Sequence, residues 1–195
     1  MLAAIIDATG NVGHRGARSM ADGVKAVRSY LALDLGAESG RAVLGQFDGE
    51  QLVCTEVRRF ANQPVQLPGS LHWDILRIYA EHSFGIQEAQ QQAESLASVG
   101  VDAWGVDFGL LDARGDLLAN PVHYRDRRTA GMLELAEGLV GRQRIFESTG
   151  IQFLPINTLY QLLALREAKS PLLEAAKTLL TIPDLLAYWL SGRRV

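Results

Sequence analysis

A chain of 195 residues with 48% apolar content can bury a real core and suits one domain or slightly more. Its 19 basic residues nearly balance 22 acidic ones, with no long run of either sign, which argues against a nucleic-acid or anionic-membrane partner and for a small neutral or anionic ligand. The single cysteine, Cys54, excludes an internal disulfide and a cysteine-based metal cluster, which points to a reducing cytoplasm and a buried, structural thiol.

In chain order, residues 1–6 are apolar but too short for a signal-peptide core, and Asp7 interrupts them. Residues 11–25 follow neither a helical nor a strand period. Residues 1–29 are therefore expected to be a leader, either a flexible extension or the product of a start placed upstream of the true one near Met20. From Tyr30 the pattern changes. Residues 30–36 read as a compact apolar strand ending in an acid, 41–47 as a returning strand, and 51–60 as a third, with Asp48-Gly49 as a hairpin turn. Residues 61–70 hold Pro64, Pro68 and Gly69 and read as a loop. A helix is expected from about Asp74, with Leu76, Tyr79, Ile86, Ala89, Ala93 and Leu96 near helical spacing.

Residues 98–104 and 106–112 read as buried strands, with a third near Leu117 after the Arg114-Gly115 turn. Beyond Thr129 the chain should be mostly helical, with caps at Asn157 and at Ser170-Pro171, a helix opening at Pro183-Asp184, and Gly192 closing it. Strands alternate with helices, so the class is α/β. No internal repeat, low-complexity tract or membrane-spanning stretch is visible.

Three segments carry chemistry. Residues 34–41 (Asp34, Leu35, Gly36, Ala37, Glu38, Ser39, Gly40, Arg41) place an acid at a strand end before a turn with two glycines and a serine. Backbone N–H groups of such a turn can cradle a phosphate, Arg41 adds positive charge, and Asp34 can hold magnesium through water. A plain hairpin turn has the same composition. Residues 101–108 set Asp102, Trp104 and Asp107 around Gly105, a mixture suited to a sugar: carboxylates for hydroxyls, an aromatic face for C–H surface, and a glycine that leaves room. Trp104 as core and one acid as a turn residue is the plainer alternative. Residues 123–129 (His123 to Thr129) are the densest charge cluster, which a solvated, internally paired run also explains. His123 has no second His or Cys at metal-ligand spacing.

The order and spacing of these segments resemble the FGGY family of carbohydrate kinases. That resemblance rests on the strand and turn 34–41 ending in Gly40-Arg41, on Tyr124, Asp126, Arg128 and Thr129, and on the blocks 71–74, 102–108, 121–129 and 149–161. Within the family the blocks are most similar to the branch acting on the ketose L-rhamnulose, and they run from Tyr30 to about Gly192. The resemblance implies an ATP- and magnesium-dependent sugar kinase. Its expected fold is a ribonuclease-H-like N-terminal domain of the actin and hexokinase superfamily, a mixed sheet flanked by helices, spanning residues 30–195 and incomplete there.

It further implies that residues 37–41 contact ATP phosphates and that Asp34 and Gly36 help place magnesium and nucleotide. Gly105 would touch the ketose, with Trp104 and Asp107 beside it. Glu38 departs from the small polar residue usual in the family, and its charge would repel phosphate. The family's catalytic base is an aspartate in a His-Asp-Thr-like segment, and this chain has no His-Asp pair. No catalytic residue is therefore expected within the chain, and the general-base aspartate is expected downstream of Val195. Residues 1–195 alone are expected to lack kinase activity. Alternatives are a non-catalytic sugar or nucleotide sensor, a gene remnant, or a kinase for another ketose such as xylulose.

Overall fold

The computed structural model describes residues 4–7 and 27–194. Val195, the residue beyond which the catalytic aspartate is expected, lies outside the described residues. Contacts divide the chain into two units, one made of residues up to Gln63, Leu76–Trp104 and the segment from Pro183, the other of Pro64–Ile75 and Gly105–Ile182.

In the first unit, β2 (Arg28–Leu35), β3 (Ser39–Phe47) and β4 (Leu52–Ala61) form an antiparallel meander. The alternation in β2 decides which face is buried: Leu31, Leu33 and Leu35 enter the core while Ala32 and Asp34 point the other way. Burying one such leucine contributes roughly 2 kcal/mol. β7 (Leu96–Asp102) joins β2 in parallel, and β1 (Ala4–Asp7) pairs antiparallel with β7, giving the order β1-β7-β2-β3-β4. Residues 4–7 thus carry a strand, although the sequence placed them in a leader; residues 8–26 of that segment lie outside the described residues.

Between β4 and β7 in sequence comes α1 (Ile75–Gln92). A meander, a helix and a strand returning parallel to the first form the ribonuclease-H-like arrangement, so the expected α/β class with a mixed sheet is the one observed. The buried face of α1 matches the expected one only in part: Ala89 is buried as expected and Tyr79 and Ile86 are half-buried, but the helix ends at Gln92 and Leu96 belongs to β7. Leu76 is 62% exposed, whereas Ile78, His82, Gly85 and Ala89 face inward. Gly85 permits the contact with the sheet, because a Cβ there would stand 2.6 Å from the Ala42 Cβ. His82 is 1% exposed and meets the Phe60 ring edge-on at 5.8 Å. Arg58 of β4 reaches α1 as well, donating to Glu81 at 2.9 Å and pairing with Glu88. The final helix, α6 (Ile182–Ser191), buries Leu185, Leu186 and Ala187 and sets Trp189 edge-on to Tyr79 at 5.5 Å. Gly192 follows it in the left-handed region, as the sequence suggested.

Cys54 is a correction: it lies exposed on β4, at the edge of the sheet, next to exposed Leu52 and Val53. Residue preference for the interior gave way to position: Leu52–Glu56, the first half of β4, is exposed on both faces among the described residues, whereas Phe60 near its end is buried.

The second unit begins with another correction. The expected loop at 61–70 contains a hairpin of β5 (Val65–Leu67) and β6 (Ser70–His72), turned by Pro68-Gly69 with Gly69 at φ 113°, a conformation that suits glycine. β8 (Phe108–Leu111) pairs with β9 (Thr178–Thr181), which has no sequence signal of its own, and the strand expected near Leu117 is only a bridge from Leu117 to Leu111. The helices α2 (Met132–Val140), α3 (Arg142–Thr149), α4 (Thr158–Glu167) and α5 (Pro171–Ala175) follow expectation. Ala136, Ile145, Tyr160 and Leu163 form their core. Ser170 caps α5 through Leu172 N–H, while Asn157 occupies the cap position of α4 but turns its amide to the Gln152 carbonyl at 2.8 Å. Among the described residues no helix is long and apolar enough to cross a membrane.

Burial without a hydrogen-bond partner holds the His82 imidazole neutral, with its pKa down to about 4. An unfolded chain protonates the same ring near 6.5. Its contribution to stability is therefore full above about pH 6.5 and is lost as pH falls toward 4, by roughly 3 kcal/mol at most. Denaturant unfolding of His82→Leu across pH 7 to 4 should show a shallower acid loss than the parent. Equal slopes would contradict this account.

Candidate functional site

The turn after β2 is held by its own backbone and by one side chain. Gly36 N–H donates to Ser39 O at 2.9 Å, and Asn62, 4% exposed, uses its side-chain amide for Gly36 O (2.8 Å) and its main-chain N–H for Glu38 O (2.9 Å). Two of the turn's carbonyls are thereby tied down. The backbone amides of Ala37 and Glu38 meet no acceptor among the described residues, so the turn keeps the donors an anion needs. Asn62 was not among the residues singled out from sequence, because it sits in what reads as the start of a proline-rich loop.

The glycines of this turn are also constrained by their protein neighbours. A Cβ on Gly40 would lie 2.1 Å from the Phe60 ring, so Gly40 is required by packing. On Gly36 it would lie 3.1 Å from the Ser39 carbonyl. Asp34 and Arg41 are cross-strand partners and form an ion pair with each other. The acid expected to place magnesium and the cation expected to meet phosphate are thus mutually engaged, and both stay partly exposed. Glu38 and Ser39 complete the turn, with Glu38 at the exposed apex.

In the parallel register of β2 and β7, Asp34 stands opposite Asp102. Asp102 Oδ1 is buried and has no hydrogen-bond partner among the described residues. Two carboxylates at neighbouring strand ends, one with an unsatisfied oxygen, suit a hard divalent cation that takes oxygen ligands. The donor set therefore fits magnesium.

Trp104 follows, half-buried, and Gly105 is exposed with open space where a Cβ would stand. Asp107 is different. It is 0% exposed, and its carboxylate accepts from the Trp73 indole N–H (2.6 Å), the Tyr124 backbone N–H (3.1 Å) and the Gln161 amide (2.8 Å). Its carbonyl accepts from Ile182 N–H at 3.2 Å. The neighbouring Val106 carbonyl accepts from Thr158 Oγ1 (2.8 Å) and Gln161 (3.2 Å). Asp107 thus joins the segments around Trp73, Tyr124, Gln161 and Ile182, and it fixes the backbone that presents Gly105. Trp73 and Gln161 fall within the blocks 71–74 and 149–161, but nothing local in the sequence marks them as partners of Asp107.

The charge cluster 123–129 is not a uniformly solvated run. His123, Asp126 and Thr129 are buried, whereas Arg125 and Arg127 are exposed. Asp126 accepts from Leu71 N–H (2.7 Å) and from Arg128 N–H (2.8 Å), which caps the short turn Arg127–Thr129. His123 stacks on Trp73 at 4.0 Å, and its Nδ1 accepts from Arg125 N–H at 2.9 Å. Burial, helped by nearby Arg125, pulls its pKa down to about 4, which agrees with an acceptor nitrogen on a neutral ring. Arg128 donates to Gln161 Oε1 at 2.6 Å, so the guanidinium, Gln161 and Asp107 form one chain. Burial lowers the Arg128 pKa against the raising pull of Asp126 and Asp107. Among the described residues no group of three or more His, Cys, Asp or Glu is arranged to hold a metal.

Replacing Asp107 by Asn keeps the shape but turns an N–H donor toward a donor such as the Gln161 amide. Asp107→Asn should therefore destabilise the chain by about 2 to 4 kcal/mol, and Asp107→Leu by no less, in urea unfolding followed by tryptophan fluorescence. A change under about 0.5 kcal/mol would contradict the central position given to this carboxylate.

The model of the FGGY family of carbohydrate kinases, N-terminal domain, matches residues 29–195. Over 165 residues the chain is 46% identical to a rhamnulokinase of Yersinia pestis bv. Antiqua (strain Angola), covering 84% of this chain and 34% of that protein. Over 168 residues it is 40% identical to a rhamnulokinase of Bacteroides thetaiotaomicron, covering 86% of this chain and 35% of that protein. The chain thus spans about a third of the length of these relatives. Among solved structures, a gluconate kinase from Lactobacillus acidophilus superposes with a TM-score of 0.76 at 19% identity, covering 87% of this chain and 34% of that one. Its likeness speaks for the fold. With the matched model covering nearly all of the chain from β2 onward, the chain belongs to the FGGY family of carbohydrate kinases.

Proposed function

We propose that this chain is the N-terminal part, residues 30–195, of an ATP- and magnesium-dependent cytoplasmic kinase that phosphorylates L-rhamnulose at its primary hydroxyl. The observation that carries the choice of sugar is the 40% to 46% identity to rhamnulokinases over more than four-fifths of the chain. The same fold also serves the gluconate kinase at 19% identity, so fold alone does not select the sugar.

In this reading the amides of Ala37 and Glu38 bind phosphate oxygens, with Asn62 holding the turn in shape. Gly36, Ser39 and Gly40 keep it tight, Gly40 by admitting the Phe60 ring. Asp34 and Asp102 would hold magnesium, directly or through water; when bound, the ion supplies charge neutralisation to the transferring phosphoryl group. Arg41 must give up Asp34 to reach a phosphate, so nucleotide binding and opening of that ion pair are coupled. Glu38 is exposed at the apex of the turn, where solvent screens its charge from a phosphate on the backbone amides. The exposed Gly105 leaves space for the ketose and Trp104 offers an aromatic face, while Asp107 acts by fixing that backbone and is a positioning residue. The chain contains no His-Asp pair, and we place the proton acceptor in sequence beyond Val195.

The longer protein containing this chain should turn over L-rhamnulose with a kcat/KM at least about tenfold above that for xylulose or glycerol. Equal or better turnover of either competitor would contradict the substrate. Residues 1–195 alone should give no ATP-dependent phosphorylation of L-rhamnulose, and measurable turnover would contradict the position of the base.

A further inference from the structure

The second unit holds a cavity of about 280 Å³ lined by the β5–β6 hairpin on one side (Gln66, Gly69, Ser70, Leu71) and by Arg125, Asp126 and Arg127 on the other. We infer that this cavity is a binding site for the phosphate group of a small ligand, with Arg125 and Arg127 as its cationic clamp. Nothing in this inference depends on the kinase reading, and the cavity uses none of the residues assigned to nucleotide or sugar.

Charge is the first argument. Among the described residues neither Arg125 nor Arg127 takes part in an ion pair, whereas the exposed Arg59, Arg77, Arg114, Arg142 and Arg166 do. The one acid of the lining, Asp126, is 8% exposed and has its oxygens on the amides of Leu71 and Arg128. It is spent on structure and leaves the two guanidinium groups with ten N–H donors between them and a lining of net positive sign. A phosphate dianion matches two arginines, each able to bind two oxygens, better than a monovalent carboxylate does.

Rigidity is the second. Asp126 also ties the two walls together through Leu71 N–H, and Leu71 O accepts from His123 N–H at 2.9 Å. Gln66 braces the hairpin turn by donating to Leu67 O (2.7 Å) and Ser70 O (3.0 Å). Ser70 Oγ contacts His72 Nε2 at 2.9 Å. On the other wall the Arg125 guanidinium lies over the Tyr124 ring at 5.4 Å, which limits its freedom without using its N–H groups. A wall fixed in this way loses little side-chain entropy on binding. The volume is below that of drug-sized pockets and suits a phosphoryl group with a small body.

The test is a two-dimensional amide NMR titration of the chain with inorganic phosphate and, separately, with glucose 6-phosphate, at constant ionic strength set by sodium chloride. Saturable shifts at Ser70, Leu71 and Arg127 are expected with at least one of the two. Tighter binding of the sugar phosphate identifies a phosphomonoester, and tighter binding of the free ion identifies phosphate itself. The Arg125→Ala/Arg127→Ala variant, which touches only exposed side chains, should retain the parent spectrum elsewhere and bind at least about tenfold more weakly. Absence of saturable shifts, unchanged affinity in the double variant, equal binding of acetate, or shifts confined to residues 36–41 would each overturn the inference.

Discussion

The hydrogen bond from the Trp73 indole to the buried carboxylate of Asp107 organises the second unit. A carboxylate with no exposure is tolerable only when donors replace the water it has lost. Here those donors come from the end of the hairpin segment, the 123–129 segment and α4, each far away in sequence. Because one acid meets all three, their positions are linked, and so is the conformation of Val106, whose carbonyl is held by Thr158 and Gln161. Gly105, one residue earlier, is thereby presented on a fixed backbone with open space above it. This is how a pair of acids and a tryptophan around a glycine divide their labour: one acid builds, and the glycine leaves room.

The first unit solves a different problem. If the turn after β2 holds phosphate, as proposed, it needs free amides and a shape that survives without the ligand. Asn62 satisfies two carbonyls of the turn after β2, and the amides of Ala37 and Glu38 meet no acceptor among the described residues. The Asp34–Arg41 pair neutralises opposite charges beside the turn, and both partners remain partly exposed. The solvent-exposed location keeps such a pair weak enough to exchange partners.

Much of the first unit was legible from residue patterns, because the strands β2 and β3 are long enough for alternation to show and the intervening turns carry Gly, Ser and Asp. The phase of α1 was legible only in part. Ala89 is buried as its spacing suggests, but His82 and Gly85 are buried there too while Leu76 is exposed, so counting apolar residues finds only part of the face. Strands of three or four residues, such as β5, β6 and β9, are too short for any period and are set by pairing partners. Cys54 reversed its usual preference because it lies in the first half of β4, which is exposed on both faces. At the candidate site, the residue types of the turn and of 102–107 were readable, and the motif order pointed to the family. Their division into ligand-facing and scaffolding groups was not, since the Trp73–Asp107 and Leu71–Asp126 contacts span 34 and 55 residues.

The central claim is that Asp107 fixes the backbone for a sugar site and does not itself bind sugar. It is tested most directly by following the Trp73 indole N–H and the Gly105 amide by NMR while L-rhamnulose is added to the protein. The account predicts that the Gly105 and Trp104 amides shift, while the Trp73 indole proton keeps its position and its slow exchange with solvent. Movement or accelerated exchange of the Trp73 indole proton, with Gly105 unmoved, would show that Asp107 leaves its protein donors for the ligand and would contradict the account.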